Sequence, residues 1–121
     1  MNEKHKKRTI ILVTENSNEE KYLKNILSKN YDTITVKCSD FSKEYLNSTD
    51  KQFSVILIDF KKAFENDFEI FKSISEDNLF ADIALLVYCE NAEELNNSVE
   101  CLKYGASDIL SKIAPPEAIL N

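Results

Sequence analysis

The chain has 121 residues, of which 43% are hydrophobic and 30% are charged, and it contains a single glycine. This length suits one domain, and the hydrophobic share is ordinary for a folded protein. Glycine-rich phosphate loops and nucleophile elbows need several glycines, so the composition excludes those sites. No apolar run approaches the ~18 residues that a membrane-spanning helix needs, and we expect no membrane partner.

The net charge of −6 is unevenly distributed. The first eight residues, MNEKHKKR, contain four basic side chains and one acidic one, so the rest of the chain carries the acidic excess. Residues 1–8 are predicted to be a basic, flexible leader, followed by one domain at 9–121. Because an acidic domain repels a phosphate backbone, direct binding of nucleic acid is not expected.

The cysteines and the single histidine restrict the chemistry further. Cys38, Cys89 and Cys101 form no CxxC pair, which predicts reduced, mostly buried thiols in a cytoplasmic protein. His5 stands alone in the leader, so the chain lacks a second histidine for a metal site or a catalytic dyad.

Short apolar runs alternate with segments of helical periodicity along the chain. The runs predict five strands, at 9–13, 33–36, 55–58, 83–87 and 108–110. Helices are predicted to follow each strand, the last of them at 116–120. This βαβ series predicts an α/β fold, in which a doubly wound, five-stranded parallel sheet carries helices on both faces.

Capping residues and apolar stripes mark the predicted helices. Capping boxes are predicted at Ser17 with Glu20 and at Asn91 with Glu94, and Asp40 is predicted to cap a brief helix. The helix after Asn91 is predicted to bury a stripe and to end at a glycine C-cap. Those residues are Leu95, Val99 and Leu102 for the stripe and Gly105 for the cap.

Charged side chains follow three of the predicted strands. Glu15 follows the first strand, Asp59 follows the apolar run VILI directly, and Lys112 follows the fifth. The carboxyl ends of parallel strands meet at one edge of a sheet, so these groups are expected to lie close together. Two carboxylates can share Mg²⁺, and a lysine can hold a phosphoryl group. This pattern predicts phosphoryl acceptance on Asp59, with Glu15 binding the metal and Lys112 binding the phosphoryl group.

The segments IILVTENSNEEKYLKNIL, VILIDFKKAFENDFEIFKSI and LKYGASDILSK resemble the receiver domain of two-component response regulators. The resemblance covers about residues 9–120. It implies a flavodoxin-like, three-layer sandwich. By this resemblance Asp59 is the phosphoacceptor, Lys112 is the lysine after the fifth strand, and Glu15 is the acid that contacts Mg²⁺. The backbone carbonyl of Lys61 is implied as a further metal ligand.

Several positions depart from the pattern of that family. Thr14 stands where the first acid of a pair is expected, which is predicted to weaken Mg²⁺ binding. Val87 replaces the switch Ser/Thr, and Ile109 replaces the switch aromatic residue. Tyr88 follows Val87 and is expected to crowd the pocket. These departures predict inefficient phosphorylation and the loss of the usual switching motion.

The expected function is that of a receiver domain of a bacterial response regulator in phosphorelay signalling, without enzymatic activity of its own. The implied partners are a histidine kinase or phosphotransfer protein and an output domain or protein. The output partner is expected at the face formed by the fourth helix, the fifth strand and the fifth helix. Because the chain stops inside the fifth predicted helix, this helix is expected to be truncated, which would leave an apolar patch open to homodimer formation.

Two other functions remain open at the level of sequence. The first is a pseudo-receiver that binds a partner protein independently of phosphorylation. The second is a flavodoxin-like carrier of FMN bound by the loop after the first strand. The loop sequence TENSNEE is acidic and contains no glycine, so electrostatic repulsion disfavours a bound phosphate there.

Overall fold

A computed structural model describes residues 8–48, 53–66 and 68–111. Their strands form one sheet in which every neighbouring pair is parallel, in the order β2-β1-β3-β4-β5. The strands are β1 (Arg8–Val13), β2 (Tyr31–Val36), β3 (Val55–Asp59), β4 (Ala84–Cys89) and β5 (Asp108–Ser111). The predicted parallel α/β sheet is confirmed. Arg8, assigned above to the flexible leader, is instead the first residue of β1.

Helices connect these strands. The α-helices are α1 (Ser17–Leu27), α2 (Lys43–Ser48), α3 (Phe60–Phe64), α4 (Glu69–Ser75) and α5 (Ala92–Ser98). Short 3-10 helices occupy Cys38–Asp40, Asn78–Phe80 and Val99–Tyr104. None of the helices in the described ranges is long and apolar enough to cross a membrane. The leader at 1–7, Lys112 and the predicted helix at 116–120 lie outside the described residues.

Two apolar clusters cover opposite faces of the sheet. Successive side chains of a strand point to opposite faces, so each strand contributes to both clusters. On one face, α1 packs Leu23 and Leu27 onto the sheet. On the other, α2, α3 and α4 contribute the larger cluster, which includes Phe71 and Ile74. The three central strands are thus buried on both sides, and this explains their continuous apolar runs.

Asn16, rather than Ser17, caps α1. Its side-chain Oδ1 accepts hydrogen bonds from the backbone N–H groups of Asn18 (2.9 Å) and Glu19 (3.0 Å). The predicted capping box of Ser17 and Glu20 is therefore wrong by one residue. The backbone of Asn16 is extended, with φ −94° and ψ 111°, as an N-cap requires, whereas Ser17 is already helical.

The other predicted caps have mixed outcomes. Asp40 ends a 3-10 helix, and Ser42 caps α2 instead, its Oγ accepting a hydrogen bond from Tyr45 N at 3.1 Å. Asn91 caps α5 as predicted, since its Oδ1 accepts a hydrogen bond from Glu94 N at 2.9 Å.

The predicted apolar stripe after Asn91 is wrong beyond Leu95. Val99 is 54% exposed and Leu102 is 48% exposed, whereas Ser98 and Cys101 are fully buried. The α-helix ends at Ser98 and continues as a 3-10 helix, in which side chains three residues apart share a face. The change from 3.6 to 3 residues per turn turns the buried face toward Ser98 and Cys101.

Gly105 ends this 3-10 helix in the left-handed region, with φ 111°. Its N–H donates to the carbonyl of Cys101. A Cβ at this position would lie 2.4 Å from Ser75 Cβ, so both the backbone conformation and the contact with α4 require glycine. The predicted glycine C-cap is confirmed.

Candidate phosphoacceptor site

An acidic cavity of about 570 Å³ lies at the carboxyl ends of β1, β3 and β4. Lys61 and Lys62 line it together with a larger number of carboxyl groups. The carboxyl groups belong to Glu15, Glu19, Asp59, Glu65, Glu90 and Glu94. The structure therefore brings three of the predicted site residues to one cavity: Glu15, Asp59 and Lys61. The fourth, Lys112, is outside the described residues.

Asp59 lies at the centre of the sheet, as the last residue of β3. The registers of β3 with β1 and β4 pair Ile58 with Val13 and Asp59 with Tyr88. The Asp59 side chain makes no capping hydrogen bond to α3 and lines the cavity instead. Burial raises the pKa of this carboxyl, while Glu19 and the backbone N–H of Lys61 act in the opposite direction.

Glu19 is a site residue that sequence reasoning missed. It lies in the first turn of α1, is only 4% exposed and lines the cavity. Burial and the negative charge of Asp59 raise its pKa from 4.5 to about 9, while the hydroxyl of Thr14 acts in the opposite direction. At neutral pH the Glu19 carboxyl is therefore protonated beside Asp59. The pattern Asn16-x-x-Glu19 matches a capping box and marks Glu19 as a first-turn residue.

Glu15 is exposed at the rim of the same cavity. Its Oε2 accepts a hydrogen bond from Ser39 N at 3.0 Å, which ties the loop after β1 to the loop after β2. Within the described ranges, no three Asp, Glu, Cys or His side chains are already grouped to hold a metal ion. Mg²⁺ commonly uses one or two carboxylates and several waters, so the oxygen donors of Glu15, Asp59 and the Lys61 carbonyl suit it chemically.

Of the positions that depart from the receiver pattern, Thr14, Val87 and Tyr88 are buried and Ile109 is partly buried. Thr14 is 3% exposed, and its Oγ1 accepts a hydrogen bond from Asn16 N at 3.1 Å. Val87 is fully buried in the larger cluster, and Ile109 packs against the same cluster. Tyr88 points to the opposite face, toward α1, with its ring centroid 6.5 Å from that of Tyr22. Tyr88 is paired with Asp59 in the parallel register, so both side chains lie on this face, but Tyr88 is fully buried in the smaller cluster and is not among the residues that line the cavity. That Tyr88 crowds a phosphoryl group on Asp59 stays a prediction.

Burial raises the pKa of all three thiols. Cys38 lines the cavity, and burial together with the charges of Asp59 and Glu15 raises its pKa to about 11. Cys89 and Cys101 are buried, as predicted, and all three cysteines are free.

No family model and no curated protein matches the sequence. Solved structures do resemble it. The N-terminal signal receiver domain of a two-component response regulator from Bacteroides fragilis has a TM-score of 0.75 at 19% identity, over 95% of this chain and 92% of that one. The signal receiver domain of a histidine kinase from Syntrophus aciditrophicus has a TM-score of 0.72 at 18% identity, over 93% and 84%.

A multidomain protein is also similar. Full-length FixJ from B. japonicum has a TM-score of 0.73 at 17% identity, and the match covers 94% of this chain but 54% of FixJ. At such identities these likenesses establish the fold. The chain therefore has the flavodoxin-like fold of response-regulator receiver domains.

Proposed function

We propose that this chain is a receiver domain in two-component phosphorelay signalling and that it accepts a phosphoryl group on Asp59. The observation that carries the proposal is the position of Asp59. It is a half-buried carboxyl at the end of a central strand, it does not cap the following helix, and it lines a cavity with Lys61 and Lys62. The receiver-domain fold supports the same function.

In the proposed reaction, an Asp59 carboxylate oxygen attacks the phosphorus of a phosphohistidine or of a small acyl phosphate. The new O–P bond forms as the bond from phosphorus to the donor's nitrogen or oxygen breaks, and the electron pair of that bond leaves with the donor. The protonated Glu19 beside Asp59 leaves Asp59 as the ionised member of the pair. Lys112 is proposed to pair with the transferred group.

Mg²⁺ is the proposed cofactor, with Glu15, Asp59 and the backbone carbonyl of Lys61 as its ligands. When bound, it would neutralise charge on the incoming phosphoryl group. Thr14 offers a neutral hydroxyl where a second carboxylate would strengthen this site. We therefore propose that phosphorylation is inefficient, because the dianionic group must enter a cavity rich in carboxyl groups.

The test is incubation with a small acyl phosphate and MgCl₂, followed by intact-mass measurement. We expect the mass of one phosphoryl group to be gained by the native chain and not by the Asp59→Asn variant. Asp32→Asn is a matched control, because Asp32 is exposed at the opposite end of the sheet, near the start of β2. Absence of any adduct over a full range of Mg²⁺ concentrations would contradict the proposal.

A second candidate function is a pseudo-receiver that binds its partner without phosphorylation. Val87 favours it, since its apolar, fully buried side chain offers no hydroxyl to a phosphoryl oxygen at this position of β4. Unchanged partner affinity in Asp59→Asn would support this function, and a clear loss would count against it.

For the phosphorylated receiver we propose a histidine kinase or phosphotransfer protein upstream, and for either function an output domain or protein downstream, in the cytoplasm. The fourth predicted helix is α5 in the structure. The exposed apolar side chains of Val99 and Leu102 support a protein-binding surface beside α5 and β5. FixJ shows a receiver fold within a longer chain, consistent with an output region on the same polypeptide.

A further inference from the structure

Of the carboxyl groups that line the acidic cavity, Glu19 is the only one that is fully buried, and the proposed phosphorylation gives it no contact with the cation or the phosphoryl group. Glu19 is 4% exposed, and no described residue donates a hydrogen bond to its Oε1. An unpaired polar atom in a buried position costs free energy unless a ligand or a partner satisfies it. The backbone of Glu19 is nevertheless held firmly, because its N–H donates to Asn16 Oδ1 at 3.0 Å.

The direction of the Glu19 side chain follows from its place in α1. Side chains of an α-helix lean toward its N-terminus, and the N-terminus of α1 lies at the carboxyl end of β1. The Glu19 carboxyl is accordingly placed beside Thr14 at the end of β1 and Asp59 at the end of β3. The carboxyl group of Glu19 thus lies at the end of β1, where the side chain of Thr14 provides no carboxylate.

We propose that Glu19 and Asp59 together bind a divalent cation, and that Glu19 supplies from α1 the carboxylate that position 14 lacks. This inference rests on the proposed function, because it assigns a further ligand to the same site. Two carboxylates suit a hard cation such as Mg²⁺ or Mn²⁺, which completes its coordination with water. The positive end of the α1 dipole and the bound cation would both favour the ionised form of Glu19.

Binding of Mn²⁺ alone tests the inference, because free Mn²⁺ is measured directly by electron paramagnetic resonance and no phosphoryl donor is needed. The native chain is compared with Glu19→Gln and with Glu20→Gln. Glu20 is a neighbouring acid of α1 that pairs with Lys24 at 3.1 Å instead of facing the cavity. We expect Glu19→Gln to weaken Mn²⁺ binding by at least about tenfold and Glu20→Gln to leave it nearly unchanged, since even outer-shell changes cost 10–100-fold.

A rescue variant separates a ligand from a merely structural carboxyl. Thr14→Asp in the Glu19→Gln background places an acid at the end of β1, and we expect it to restore Mn²⁺ binding. Circular dichroism melts establish that each variant is folded. Native-like Mn²⁺ binding by Glu19→Gln, absence of Mn²⁺ binding by the native chain, or failure of Thr14→Asp to restore it would each overturn the inference.

The outcomes for this inference and for the proposed function are distinguishable. Glu19-dependent Mn²⁺ binding without any phosphoryl adduct on Asp59 would support the inference and contradict the phosphorylation. An adduct that forms on Asp59, together with equal Mn²⁺ binding by Glu19→Gln and the native chain, would support phosphorylation and overturn the role of Glu19.

Discussion

The carboxyl groups of Glu19 and Asp59 lie side by side in a cavity that is partly shielded from water. Ionising both would place two like charges in a poorly solvated space, so the pair retains a proton at neutral pH. Glu19 holds it, because burial and Asp59 raise its pKa to about 9. Glu90 and Tyr88, from β4 and the loop after it, also face this pair and contribute no positive charge. The site is therefore sensitive to pH.

The raised pKa of Glu19 predicts how stability depends on pH. Between the ordinary value of 4.5 and about 9, the unfolded chain has released this proton and the folded chain retains it, so stability falls as pH rises. Glutamine mimics the protonated acid and removes this dependence. Between pH 4.5 and pH 7 the proton on Glu19 lowers the free energy of unfolding by about 1.4 kcal/mol per pH unit. Glu19→Gln should therefore raise the free energy of unfolding by up to about 3 kcal/mol at pH 7.

Urea unfolding of the native chain and of Glu19→Gln, repeated across this pH range, measures the effect. At pH 4.5 the two chains should have nearly equal stability, and the gain of the variant should grow with pH. Glu20→Gln is the control. The pKa of Glu20 is lowered, by Thr35 and then by Lys24, so this substitution should produce no such gain. A gain for Glu19→Gln that is independent of pH would contradict the assignment of the proton to Glu19.

Of the residues in the candidate site, the sequence predicts only those that lie close to the end of a predicted strand. Asp59 and Glu15 are predictable because Asp59 follows a buried apolar run directly and Glu15 follows one after a single residue, Thr14. Glu19 is not, because its role depends on which residue caps α1 and on the direction in which a first-turn side chain leans. The environment of Tyr88 likewise depends on strand register, which a one-residue shift would reverse.

Gly105, the single glycine of the chain, sets the end of the 3-10 helix at Val99–Tyr104. We expect Gly105→Ala to destabilise the fold by about 2 kcal/mol or more. Its φ of 111° is unfavourable for alanine, and the new methyl group would lie 2.4 Å from Ser75 Cβ and 2.7 Å from Ser75 Oγ. The junction between the 3-10 helix and α4 would have to move apart.

Thermal and urea unfolding check this prediction against two variants. Lys103→Ala changes an exposed side chain of the same 3-10 helix and should cost little. Adding Ser75→Gly to Gly105→Ala relieves the collision but not the backbone strain, so it should recover only part of the loss. A native-like midpoint for Gly105→Ala would show that neither the positive φ nor the Ser75 contact constrains this position.

Strands and helices were predictable from the sequence where a single apolar pattern continues through the whole segment. The five strands and α1 are of this kind. The segment after Asn91 is not, because its sequence keeps a 3.6-residue apolar pattern through Leu102 while the backbone changes to a 3-10 helix at Val99. Contacts of Ser98 and Cys101 with the core decide that change, and such tertiary contacts are not encoded in a local pattern.

At the scale of the whole molecule, the parallel topology was predictable because alternating buried strands and helices have few other arrangements. The distribution of charge over the molecule was less predictable from the sequence than the topology. The net charge of −6 indicates an acidic surface, but it does not reveal that six carboxyl groups line one cavity. That concentration arises from four separate segments, namely the loop after β1, the first turn of α1, the β3–α3 region and the β4–α5 region.

This concentration of negative charge predicts that divalent cations stabilise the fold more than ionic strength does. A comparison of about 10 mM MgCl₂ with about 30 mM NaCl equalises the ionic strength, so general screening contributes equally to both. A cation that binds the folded chain adds RT ln(1 + [L]/Kd), or about 1.4 kcal/mol at ten times Kd. We expect a higher melting temperature in MgCl₂ and a larger difference at pH 8 than at pH 6, because the cation competes with the proton on Glu19.

Asp59→Asn should abolish the difference, since it removes a proposed ligand from the centre of the cavity. Equal melting temperatures in the two salts at pH 8 would contradict the prediction, because they would show that the salts only screen the charge of the cavity and that no Mg²⁺ binds there.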